Sequence, residues 1–98
     1  MASMIRFHFS TEAEQDFRES FDWYERQKSG LGEKFESAVY SCLEKIAANP
    51  QHFGKNAAGY RKMVVPVFPY IIVYELDKEA EAIFVVAIAH SSRDISSR

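Results

Sequence analysis

An α+β fold is what this sequence predicts: one strand, a helical hairpin, then three strands, in the order β-α-α-β-β-β. Three observations carry that expectation. Apolar residues recur at every second position in IRFHF (5–9), and strand-like apolar runs fill much of residues 60–90. Residues 11–48 instead space their apolar side chains three and four apart, as a helix does. Gly30 and Gly32 interrupt that stretch near its middle, so two short-linked antiparallel helices are expected. The predicted molecule is an N-terminal helical hairpin packed on a mostly antiparallel four-stranded sheet.

Each element has its own local reason. In IRFHF, Ile5, Phe7 and Phe9 fall on one face, and Arg6 and His8 on the other. The first helix begins at Ser10 or Thr11, either of which can accept from orphan amides, and Thr11 with Glu14 has capping-box spacing. Glu12, Glu14 and Asp16 suit the positive end of the helix dipole. Ala13, Phe17, Phe21 (or Ser20) and Tyr24 form its core-facing stripe, with Trp23 at the border. In the second helix Leu31, Phe35, Ala38, Val39, Cys42, Leu43, Ile46 and Ala47 face inward, and Asn49-Pro50 ends it. Residues 51–59 read as a loop. YRKMVV (60–65), PYIIVYEL (69–76) and AIFVVAIAH (82–90) read as a meander of three strands.

The whole chain bounds the function. Its 98 residues form a single expected domain over 1–98, with Met4 the expected natural start and Met1 to Ser3 an addition. No apolar stretch approaches the ~18 residues of a membrane span, and the start lacks signal-peptide character. Cys42 is the one cysteine and cannot form an internal disulfide, so a reducing, cytoplasmic setting is expected. A net charge of −2 argues against a protein living by non-specific nucleic-acid binding. The charge is unevenly placed, however. No acidic residue occurs from Lys45 through Tyr74, a window holding Lys45, Lys55, Arg61 and Lys62.

A surplus of apolar strand surface points beyond folding. Alternation puts Tyr70, Ile72 and Tyr74 on one face of the third strand, with Ile71 and Val73 on the other. In the fourth, Phe84, Val86 and Ile88 oppose Ile83, Val85, Ala87 and Ala89, and His90 continues the Phe84 face. One helical hairpin covers one face. The other either meets a partner or is covered by the 51–59 loop and the C-terminal tail.

The closing AHSSRD gathers imidazole, hydroxyl, guanidinium and carboxylate side chains at a strand end. His90 there either bonds a neighbouring turn or performs chemistry, and Arg93 with Asp94 either pair together or contact a partner. Arg61 and Lys62 point to opposite faces, one a solvated edge charge and the other a site residue. His8, His52 and His90 lack ligand spacing, so no metal site and no cofactor are expected. Cys42 reads as a core thiol.

Three stretches together resemble the RelE/ParE toxin superfamily of type II toxin–antitoxin modules. FSTEAEQDFRESFDWYERQ is similar to the family's opening, GYRKMVVPVFPYIIVYELD to its central hairpin, and VVAIAHSSRD to the closing His-x-x-Arg-Asp of the ParE-like branch. The likeness covers residues 5–94. It implies a toxin of the plasmid-stabilisation type that binds DNA gyrase and is neutralised by a cognate antitoxin, as a possible dimer or as a heterotetramer with it. The RelE-like alternative is a ribosome-dependent mRNA endonuclease; a module that only binds its antitoxin is the third. Nuclease members supply Lys and Arg plus a Tyr after the last strand. Lys62, His90 and Arg93 are the candidates here for that chemistry. Ile71 stands where an Arg would follow the strand Tyr, and no Tyr follows Arg93. The resemblance therefore favours a binding protein over an enzyme. The expected target- or antitoxin-binding residues are Arg61, Lys62, Tyr70, Ile72, Tyr74, His90 and Arg93.

Overall fold

The computed structural model describes residues 6–56 and 58–92. Met1 to Ser3, Ile5, Arg93 and Asp94, all invoked above, lie outside the described residues. Element order is β1 (Arg6–Phe9), α1 (Thr11–Gln27), α2 (Leu31–Ala48), β2 (Arg61–Val64), β3 (Tyr70–Asp77) and β4 (Ala82–His90). The sheet runs β1-β4-β3-β2, with β1 parallel to β4 and the other pairs antiparallel. This is the expected α+β arrangement.

Ser10 settles where α1 begins. Its Oγ accepts from the Ala13 amide at 2.9 Å, so Ser10 is the N-cap and the Thr11–Glu14 pairing is not the one used. The helices pack antiparallel: Tyr24 and Phe17 both meet the Phe35 ring, and Phe17 also meets Tyr40 further along α2. Gly32 lets them close. A Cβ there would lie 2.8 Å from the Phe21 carbonyl oxygen and 2.6 Å from Glu25 Cγ. The Gly32 amide donates to Glu25 Oε1 at 2.8 Å, so a carboxylate from α1 caps α2, whose own N-cap, Gly30, has no side chain to do it.

The hairpin lies over one sheet face. Phe35, Val39, Cys42, Leu43 and Ile46 meet Met63, Val65, Ile72, Tyr74, Ile83, Val85 and Ile88 in a single core. Tyr70, Ile72 and Tyr74 do share a face, and it is the covered one.

In β4 simple alternation fails. Val73 pairs with Ala87 but Tyr74 pairs with Val85, leaving Val86 as a bulge. The expected grouping of Phe84 with Val86, Ile88 and His90 is therefore wrong. Ile83 and Val85 face the helices before the bulge, and Ile88 and His90 face them after it. Phe84, Ala87 and Ala89 lie on the bare face.

The start of the 51–59 loop packs on the helical side, where Phe53 joins the core. A cross-strand pair holds the loop's start. Arg61 Nη1 donates to the Phe53 carbonyl and, at 3.4 Å, to that of Gln51, while the Tyr74 hydroxyl donates to the Pro50 carbonyl at 3.4 Å. Burial pushes the Tyr74 phenol above its ordinary pKa, and the neighbouring Arg61 cation offsets part of that rise.

Candidate partner-binding surface

The bare face follows from register. β2 contributes Lys62 and Val64, β3 contributes Ile71, Val73 and Glu75, β4 contributes Phe84, Ala87 and Ala89, and β1 contributes Arg6 and His8. Among the described residues no helix crosses it, and the C-terminal tail expected as an alternative cover lies outside them. Val64 is 68% exposed and Phe84 41%, while Val73 and Ala89 are buried low between their neighbours. His8 stacks on Phe84 with ring centroids 5.2 Å apart and planes 22° apart, giving a flat aromatic and imidazole pair on open surface. Past β2, Val67 is 97% exposed and held at φ 74°, a strained setting for a β-branched side chain. Val64, Ile71 and Ala89 thus mark the end of the face nearest the β2–β3 turn, Lys62 sits mid-strand opposite Val73, and Phe84 pairs with Glu75. Glu75 and Asp77 lie toward the other end.

The seven expected binding residues separate accordingly. Of the six that are described, Lys62 alone is on the bare face, and Arg93 lies outside the described residues. Arg61, only 9% exposed, spends its guanidinium on loop carbonyls, because alternation turns it inward opposite Tyr74. Ile72 and Tyr74 are fully buried under the helices and offer a partner no surface. Tyr70 is half-buried; its hydroxyl accepts from Ser20 Oγ at 3.1 Å, and its ring contacts Phe35 and Tyr24. Tyr24's own phenol is pushed above its ordinary pKa by burial and by Tyr70.

His90 meets Tyr70 edge-on, with centroids 5.3 Å apart. Its Nδ1 accepts from the Ser92 amide at 3.1 Å and lies 2.7 Å from Ser92 Oγ. Those contacts close the turn after β4 and put the neutral imidazole's proton on Nε2. Of the three candidate nuclease residues, Lys62 and His90 lie on opposite sheet faces and Arg93 is outside the described residues. Among the described residues no three His, Cys, Asp or Glu side chains cluster closely enough to hold a metal.

A second surface went unforeseen. Between α1 and α2 opens a cleft of about 380 Å³ lined by Phe9, Phe17, Phe21, Val39, Tyr40 and Leu43, with Glu14, Arg18 and Glu36 at its polar positions. Tyr40 was its one sequence signal, an aromatic off the inward stripe of α2 and mostly exposed. Trp23, also off-stripe, is 51% exposed and packs edge-on against Tyr24. No helix is long and apolar enough to cross a membrane among the described residues.

Known proteins with this architecture give the arrangement a context. The fold matches a chain of the chromosomal ParDE toxin–antitoxin system of P. aeruginosa with a TM-score of 0.74 at 12% identity, covering 89% of this chain and 96% of that one. The isolated E. coli RelE toxin matches with a TM-score of 0.69 at 15% identity, covering 96% and 92%. A chain of the RelBE2 complex of Mycobacterium tuberculosis matches at 0.63 and 18% identity, covering 95% and 100%. No curated protein matches significantly by sequence. At these identities the likeness establishes the fold. The family model for the ParE toxin of the type II toxin–antitoxin system parDE matches residues 7–95. With nearly its whole length so matched, the chain belongs to the ParE toxin family of type II toxin–antitoxin systems.

Proposed function

We propose that this toxin arrests growth by binding DNA gyrase through its bare sheet face and the end of β4, and that a cognate antitoxin neutralises it by covering overlapping apolar surface. The observation that carries the reading is the uncovered face itself, where Val64 and Phe84 stand in water beside Lys62 and His8. Exposed apolar side chains set among separated charges suit protein contact more than bond cleavage.

The antitoxin reading draws on the interhelical cleft as well. Its aromatic lining and mixed charges match an amphipathic segment laid along the hairpin, and three of the similar folds belong to toxin–antitoxin complexes. A gyrase-directed role would place the protein in the cytoplasm and give it a part in plasmid stabilisation.

A supercoiling assay tests the target. Purified toxin should inhibit gyrase at stoichiometric levels, and Lys62→Glu and Phe84→Ala should each weaken inhibition at least tenfold. Unimpeded supercoiling at micromolar excess would remove gyrase as the target. Discrete codon-placed cuts in mRNA after induction would instead support the RelE-type endonuclease.

A further inference from the structure

We propose that Ser10 and Asp16 are positioning residues: they fix the phase of β4 beyond its bulge and so aim His90 to Ser92 for target contact. This rests on the reading that the end of β4 takes part in that contact.

An extra residue in one strand leaves main-chain groups without ladder partners and turns every later side chain to the opposite face. In β4 that residue is Val86. The start of α1 supplies the missing partners. Ser10 Oγ donates to the Val86 carbonyl at 2.8 Å, and the Ile88 amide donates to Asp16 Oδ2 at 3.2 Å. The Ser10 amide donates to the Val85 carbonyl at 3.0 Å, carrying the β1–β4 ladder up to the bulge. Contacts from α1 and its cap thus hold Val86 itself and the residues on either side of it, Val85 before and Ile88 after.

Chemistry fits the two side chains to these places. A hydroxyl can donate to one group while accepting from another, and Ser10 Oγ does both, since it also caps α1 through the Ala13 amide. A carboxylate only accepts, which suits an amide that the bulge has turned away from β3. With no bulge, Ala87 and Ala89 would point at the helices and Ile88 and His90 at the bare face. With it, Ile88 fills the core and His90 packs against Tyr70. Burial of Ile88 pulls the same way as the clamp, and the clamp decides where along the strand the extra residue sits.

The test uses the full chain with Asp16→Ala, Asp16→Asn and Ser10→Ala, each checked for cooperative melting. Two quantities are read: growth arrest on induced expression, and the His90 ring signals by NMR, which sense the Tyr70 ring. Asp16→Ala should need at least tenfold more inducer for arrest and should move the His90 signals away from their wild-type positions. Asp16→Asn keeps an acceptor for the Ile88 amide and should restore both to within threefold of wild type and to near-native shifts. Unmoved His90 signals in Asp16→Ala, or an Asn variant as impaired as the Ala one, would overturn the proposal. Should Asp16→Ala fail to fold, Ser10→Ala reads the other half of the clamp with the same two outcomes. His90→Ala separates the layers. If it arrests growth fully while Asp16→Ala still displaces the ring, the contact reading fails and the positioning role stands. A wild-type chain that arrests nothing refutes the toxin reading, and the ring signals alone then decide the clamp.

Discussion

The two faces of the sheet are built from the same four strands and have opposite characters. The covered face carries Ile72, Tyr74, Ile83, Val85 and Ile88, large side chains closed off by α1 and α2. The bare face carries Ala82, Ala87 and Ala89 at β4 positions between a few larger groups. The Val86 bulge makes much of this difference. It turns two alanines outward and keeps Ile88 inside, so the bare face is less apolar than unbroken alternation would make it. What stays exposed is localised at Val64, Val67 and Phe84 rather than spread over the sheet. Stability is thereby concentrated on one side and the proposed recognition surface lies on the other, and substitutions should separate the two.

The largest effect belongs to the covered face. Ile72→Ala deletes a fully buried side chain between two layers and should destabilise by about 3–4 kcal/mol. A domain of this size has about 5–15 kcal/mol in total, so chemical denaturation should show a greatly lowered midpoint with little change in slope. A loss below about 1 kcal/mol would mean that the helices do not seal this face.

How much of this was legible beforehand follows from which signals are local. Element order and the covered position of α2 came from periodicity, a property of neighbouring residues. That Tyr70, Ile72 and Tyr74 share a face was legible too; which face the helices choose was not, because both were apolar. The β4 faces were misread because a bulge is decided across the chain, by Ser10 and Asp16 meeting the main chain of Val86 and Ile88. Arg61 was expected, with Lys62, among the binding residues. Its partners are carbonyls of a loop, which no residue pattern announces. The interhelical cleft depends on how closely two helices approach, and Gly32 was read only as a breaker.

Arg61→Ala is next in size. It removes a buried cation from two carbonyls and should cost about 2–3 kcal/mol, since hydrogen bonds to charged groups are among the stronger ones. Amide exchange should quicken first in residues 51–56, well before the β3–β4 core. Gly32→Ala should cost about 1–3 kcal/mol, because its Cβ would press on the Phe21 carbonyl, which is backbone and cannot swing aside. It should also widen the cleft, changing antitoxin affinity more than the proposed gyrase inhibition. Phe84→Ala completes the contrast with Ile72. A melting shift of no more than about 3 °C is expected, from well under 1 kcal/mol at a part-exposed site, beside the binding loss already stated.

The smallest effect is a pH dependence from three groups on the covered side. Cys42, Tyr24 and Tyr74 all lie in the core, and burial raises the pKa of each. An acid with a raised folded-state pKa holds its proton more tightly when folded than when unfolded. Its contribution is therefore complete below the unfolded value and is lost as pH climbs toward the folded one. Cys42 starts from an ordinary value of 9.0 and the tyrosines from 10.0, so stability should be insensitive to these groups at neutral pH and fall in two stages above it. Cys42→Ala should abolish the earlier stage, near pH 9, and leave the tyrosine stage in place. A chain whose denaturation midpoint stays flat from pH 8 to 11 would show that these side chains are wetter than their packing implies.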